Sequence, residues 1–90
     1  PRENDDVIIR RGILKDLTGV STILNWISDG DLVIIEMSEL MKRETELHAA
    51  VKQIKDFVEL DLYGNILQLG KTRLLILPPL FETKEEEDNM

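Results

Sequence analysis

Short unbroken apolar runs alternate along this chain with segments whose apolar residues return every three or four positions, and that change of period separates strands from helices. Val7-Ile8-Ile9, a β-branched run closed by Arg10-Arg11-Gly12, predicts a first strand. Asp16 is placed to cap a helix whose Leu17, Val20, Leu24 and Ile27 share one stripe and which ends before Ser28-Asp29-Gly30. The continuous run 32–35, bounded by Asp31 and Glu36, has the pattern of a strand buried on both faces. Ser38 can cap a second helix, in which Leu40, Leu47, Val51, Ile54 and Val58 form the stripe while Lys42, Arg43, Glu44, Glu46, Lys52 and Lys55 fall elsewhere on the wheel. The period then changes again. Ile66, Leu67 and Leu69 follow the turn or bulge signal Gly64-Asn65, Gly70-Lys71 makes a tight turn, and the run 74–77 stops at Pro78-Pro79, which predicts two more strands in a hairpin.

The order is β-α-β-α-β-β, with room for a fifth short strand over 80–83. It predicts an α/β sandwich in which two helices pack on a mixed four- to five-stranded sheet. Residues 1–6 are wholly polar and read as the end of a linker, 7–81 form the core domain, and 82–90 read as a solvated, disordered acidic end. Successive strand residues point to opposite faces, so the apolar runs 7–9, 32–35 and 74–77 ask for burial on both sides of the sheet. With both helices on one side, a second copy of the domain is the simplest cover for the other, giving a sheet-to-sheet or edge-to-edge homodimer. One helix on each face is the competing arrangement and needs no partner. A chain of 90 residues is one small domain with a modest core, which makes such a completion useful.

The formal net charge of −7 argues against a general nucleic-acid binder. Its distribution is uneven: from Glu82 onward, Glu82, Glu85, Glu86, Glu87 and Asp88 face Lys84, so −4 of the −7 lies there and −3 remains for residues 1–81. The absence of cysteine removes disulfides, thiolate zinc sites and cysteine nucleophiles together. No apolar run reaches the roughly 20 residues of a membrane span. Catalytic chemistry does not assemble either. His48 is the single histidine and sits on a helix flank, and Asp29, Asp31, Glu36 and Glu39 lack the spacing of a calcium loop. Gly64 and Gly70 do not open a phosphate-cradling turn. The reading is a protein without catalytic residues, metal or cofactor.

Binding residues are easier to nominate. Trp26 lies off the main stripe of the first helix and Phe57 off that of the second, which makes both candidates for a contact with another protein. Lys71 and Arg73 flank the last turn and strand beside Gln68 and Leu74, a basic rim next to apolar residues against which a short acidic, hydrophobic peptide would dock.

Several strings, in this order, resemble the SepF family of cell-division proteins. They are Asp16 through Ile27 followed by Gly30-Asp31-Leu32-Val33-Ile34-Ile35-Glu36-Met37-Ser38, the helical stretch 51–58, Gly64-Asn65-Ile66 through Leu69-Gly70, and Leu74-Leu75-Ile76-Leu77-Pro78. The resemblance spans roughly residues 7–81. It implies a non-enzymatic adaptor that binds the C-terminal tail peptide of the tubulin-like protein FtsZ and dimerises or polymerises. It further implies a place at the inner face of the cell membrane at the division site, held by an amphipathic helix that would precede Pro1. On matching positions the resemblance puts the peptide groove at Gln68, Lys71, Arg73 and Leu74. It also puts Gly64 at the dimer contact, where it allows close approach, and self-association is expected at Gly64, Ile66, Phe57 and Trp26. The chain departs from the family at Tyr63-Gly64, where two adjacent glycines are usual, and at Asn65, where aspartate is usual. The acidic end and the high charge content resemble the archaeal members.

Two other classes share parts of the pattern. A STAS-type phosphoswitch also joins an apolar strand to an acid and a small polar residue, which would make Ser38 the acceptor, and a small-molecule regulatory domain can use a similar β-α-β order.

Overall fold

The computed structural model describes residues 6–81 and 83–84. Apart from Asp6, Thr83 and Lys84, the polar run 1–6 and the acidic run 82–90 lie outside them. Four strands, β1 (Ile9–Ile13), β2 (Leu32–Glu36), β3 (Asn65–Leu69) and β4 (Arg73–Leu77), form one sheet in the order β1-β2-β4-β3. β1 runs parallel to β2, and β4 is antiparallel to both β2 and β3. The two helices are α1 (Val20–Ser28) and α2 (Glu44–Asp56).

The first strand lies later than the apolar run that announced it. Ile9 pairs with Leu32 and Ile13 with Glu36, so the strand takes in Arg10, Arg11 and Gly12, while Val7 and Ile8 precede it. The register explains the shift: Gly12 lies beneath Trp26, where an added Cβ would come 2.8 Å from the indole, and Leu14, just past the strand, is fully buried. Asp16 does cap, accepting a hydrogen bond from the Thr18 N–H at 2.9 Å, but it caps a 3-10 turn (Leu17–Gly19) that leads into α1. The second helix likewise begins later than its stripe. Leu40 is buried in a 3-10 turn (Leu40–Lys42) before α2, and α2 continues past Asp56 into one π-type turn (Phe57–Asp61) closed by Leu62 N–H to the Phe57 carbonyl at 3.1 Å. No fifth strand follows β4 among the described residues: the Phe81 N–H donates to the Pro78 carbonyl at 3.1 Å and closes a turn over 78–81.

Both helices pack on one face of the sheet. Val33, Ile35 and Ile76 point into a single cluster with Val20, Ile23 and Ile27 of α1 and with Ala50 and Ile54 of α2. Alternation sends Ile9, Ile13, Leu32, Ile34, Leu75 and Leu67 to the other face, on which neither helix packs and which no element among the described residues covers. Ile9 and Ile13 are 59% and 62% exposed there. The arrangement with one helix on each side is therefore not the one adopted.

Candidate functional site

The expected site residues meet at a groove between α2 and the β3–β4 hairpin, with a volume of about 570 Å³. Its formation starts at Gly70, whose φ of +64° lets the chain turn between β3 and β4 and brings Gln68 opposite Leu74. Those two side chains share the helix-facing side of the sheet with Ile66 and Ile76. Gln68, Lys71, Arg73 and Leu74 all line this one groove. Gln68, Lys71 and Leu74 are thus brought together on the helix side of the hairpin, whereas Arg73, at the edge of the groove, sends its guanidinium to the opposite face of the sheet, where it meets Glu36.

The opposite wall did not figure among them. It is α2, through Leu47, Val51, Lys52 and Lys55, together with Met37 beyond the end of β2. A signal was present in the sequence, since Leu47 and Val51 are spaced by four and Lys52 and Lys55 by three. The helical wheel puts Leu47 and Val51 on the core stripe, but they are only half-buried, and the fully buried positions of α2 are Ala50 and Ile54. The floor is accordingly apolar and the rim basic.

The ionic pairing around the groove is uneven. Lys52 is held by Asp56, Nζ to Oδ2 at 2.9 Å, a hydrogen bond that raises the ammonium pKa. Arg73 Nε donates to Glu36 Oε1 at 3.0 Å. The Glu36 carboxylate also accepts from Ser38 and Thr72, and these hydrogen bonds, Ser38 first, then Thr72 and Arg73, hold its pKa down at about 2 against an ordinary 4.5. Lys55 and Lys71, one on each wall, have no acidic partner among the described residues. Ser38 itself lies in the turn after β2, six residues before α2 begins at Glu44, and its backbone N–H is spent on Glu36 at 3.1 Å. That is not the helix-start position of a phosphoswitch serine.

The residues expected at a self-association contact make contacts within the chain itself. Trp26 is half-buried against the core, with the Arg10 guanidinium 5.5 Å from its ring centroid. Arg10 Nε in turn donates to Asp31 Oδ2 at 2.7 Å, and Asp31 is 1% exposed. Phe57 and Ile66 are half-buried against the same core. The close approach at Gly64 is to its own chain, since an added Cβ would lie 2.5 Å from the Leu77 carbonyl oxygen. None of the four lies on the bare sheet face. Among the described residues no group of three or more His, Cys, Asp or Glu could hold a metal ion, and no helix is long and apolar enough to cross a membrane.

No protein-family model matches the chain, and no curated protein matches it in sequence. Solved structures do. The SepF-like protein from Archaeoglobus fulgidus superposes with a TM-score of 0.82 at 21% sequence identity, covering 93% of this chain and 100% of that one. The SepF-like protein from Pyrococcus furiosus does so with a TM-score of 0.69 at 14% identity, covering 92% of this chain and 100% of that one. The fold, two helices on one face of a four-stranded mixed sheet, is that of these SepF-like proteins.

Proposed function

We propose that this chain is a SepF-type cell-division adaptor, a non-enzymatic domain that holds the C-terminal tail peptide of FtsZ in the groove between α2 and the hairpin. The observation that carries the reading is a likeness to SepF-like proteins over more than nine-tenths of the chain, combined with a groove in which Gln68, Lys71 and Leu74 meet the apolar wall of α2 and Arg73 stands at the edge. Leu47, Val51 and Leu74 offer contacts to apolar side chains of such a peptide, and Lys55 and Lys71 to its acids. β3 is an edge strand, so its outer backbone groups are open to an added strand as well.

Self-association belongs to the same proposal, and its surface is the bare sheet face. A second copy there would bury Ile34, Leu75 and Leu67 at the usual sheet-on-sheet spacing of about 10 Å. A hollow on that face is ringed by Arg11, Glu36 and Arg73, which gives a two-fold contact charged groups to set its register. Each dimer presents two weak grooves, and assembly at the inner face of the membrane, through an amphipathic segment preceding Pro1, multiplies them by avidity.

Titration of an FtsZ C-terminal peptide into the isotope-labelled domain tests the reading. Saturable shifts are expected at the Gln68, Lys71 and Leu74 amides. Absence of any shift there at millimolar peptide removes the adaptor function.

A further inference from the structure

We infer that the acidic run of this same chain, residues 82–90, docks in the groove between α2 and the β3–β4 hairpin and competes there with the partner peptide. The competition rests on the adaptor reading above. The docking rests on charge, on reach and on the direction in which the chain leaves the sheet.

Charge comes first. Of the cations lining the groove, Lys52 is paired with Asp56 and Arg73 turns to Glu36 on the other face of the sheet, while Lys55 on α2 and Lys71 on the hairpin have no acidic partner among the described residues. The run 82–90 carries the opposite sign at high density, with Glu85, Glu86, Glu87 and Asp88 consecutive and Met90 adding an apolar side chain. An acidic stretch with one apolar residue is what a groove with an apolar floor and two unneutralised ammonium groups selects.

Reach and direction agree with this. The groove adjoins the start of β4, at Arg73 and Leu74, and the chain leaves β4 at Leu77, about 14 Å further on at roughly 3.4 Å per residue. The turn over 78–81, closed by the Phe81 N–H on the Pro78 carbonyl, reverses the chain instead of carrying it away from the sheet. Nine extended residues span up to about 30 Å, which covers the return. A tethered segment of this length acts at an effective concentration of about 1 mM, so a groove that holds the isolated run with a dissociation constant of about 0.1–0.5 mM lowers partner affinity about three- to tenfold.

The chain has no cysteine, so a nitroxide attached to Asn89→Cys reports on the 90-residue chain with Met90 kept. At low salt the label is expected to reduce the amide signals of Lys55, Gln68 and Lys71 at least twofold relative to the reduced label. The effect should survive tenfold dilution with unlabelled protein, and should disappear at about 0.5 M NaCl and in Lys55→Glu/Lys71→Glu. Full-intensity groove signals at low salt overturn the docking, and loss of the effect on dilution overturns docking within one chain. In the second arm, Glu85→Gln/Glu86→Gln/Glu87→Gln/Asp88→Asn is expected to bind the FtsZ peptide about three- to tenfold more tightly than the unaltered chain. Equal affinities overturn the competition. If the peptide binds neither protein while the label still quenches the groove, the adaptor reading fails and the docking stands.

Discussion

Arg10, Trp26 and Asp31 show how one buried carboxylate organises its surroundings. Asp31 is 1% exposed and takes the Arg10 guanidinium at 2.7 Å, and that guanidinium lies over the indole that also packs closely on Gly12. Removing one member of such a pair leaves a desolvated charge. Arg10→Met should therefore cost about 3 kcal/mol, read from urea unfolding followed by Trp26 fluorescence, and adding Asp31→Asn should restore much of it. A change below about 0.5 kcal/mol would show that the pair is not holding the strand. Glu36 makes a different prediction, about pH. Its folded pKa of about 2 lies below the ordinary 4.5, so its contribution is fully present above that ordinary value and is lost as pH falls through 2. The unfolding free energy of Glu36→Gln should fall less steeply between about pH 5 and pH 2 than that of the unaltered chain. Parallel curves would mean that the Ser38, Thr72 and Arg73 hydrogen bonds do not tune this carboxylate.

At the scale of elements, α2 serves two neighbours with two adjacent stripes. Ala50 and Ile54 are fully buried against the sheet, while Leu47 and Val51, one step around the helix, are half-buried beside the hairpin. Substitutions on the two stripes should separate. Ile54→Ala is expected to cost about 3 kcal/mol of stability by leaving a cavity. Val51→Ala should cost about 1 kcal/mol of stability and weaken FtsZ-peptide binding about tenfold, as truncation of a buried contact in a binding site does. Isothermal titration alongside thermal unfolding reads both quantities, and an unchanged peptide affinity for Val51→Ala would remove α2 from the site. The helix wheel shows an apolar stripe on α2 but not its division, because the boundary between core and groove is set by how far the hairpin leans over the helix. Trp26 is a similar case. The wheel puts it at the margin of α1, and its burial depends on Gly12 and Arg10 of a strand distant in sequence.

For the molecule as a whole, the unfinished feature is the sheet. Its helix side is closed, and its other side presents Ile9, Ile13, Ile34 and Leu75 with the Glu36–Arg73 pair at one end. Ile9 and Ile13 are exposed there and Ile34 and Leu75 half-buried, and this face is the one on which the self-association proposal is to be tested. Placing a charge at its centre, in Ile34→Lys, should convert a dimer of the 10.4 kDa chain into a monomer by sedimentation equilibrium, with the far-ultraviolet circular dichroism unchanged. An unaltered chain that sediments as a monomer at about 0.1 mM would end the self-association proposal.

The type and order of the elements follow from the chain's own pattern, because the period of apolar residues is a local property and the strand and helix segments each show it within a few residues. The surplus of apolar strand positions was also readable, and with it the expectation that one side of the sheet lacks cover. The start of β1 at Ile9, the placement of both helices on a single face and the wall that α2 lends to Gln68, Lys71, Arg73 and Leu74 come from long-range pairing. Strand register and helix packing join residues 20 to 40 positions apart, such as Gly12 with Ile35 or Glu36 with Arg73, and no local period encodes which partners they find.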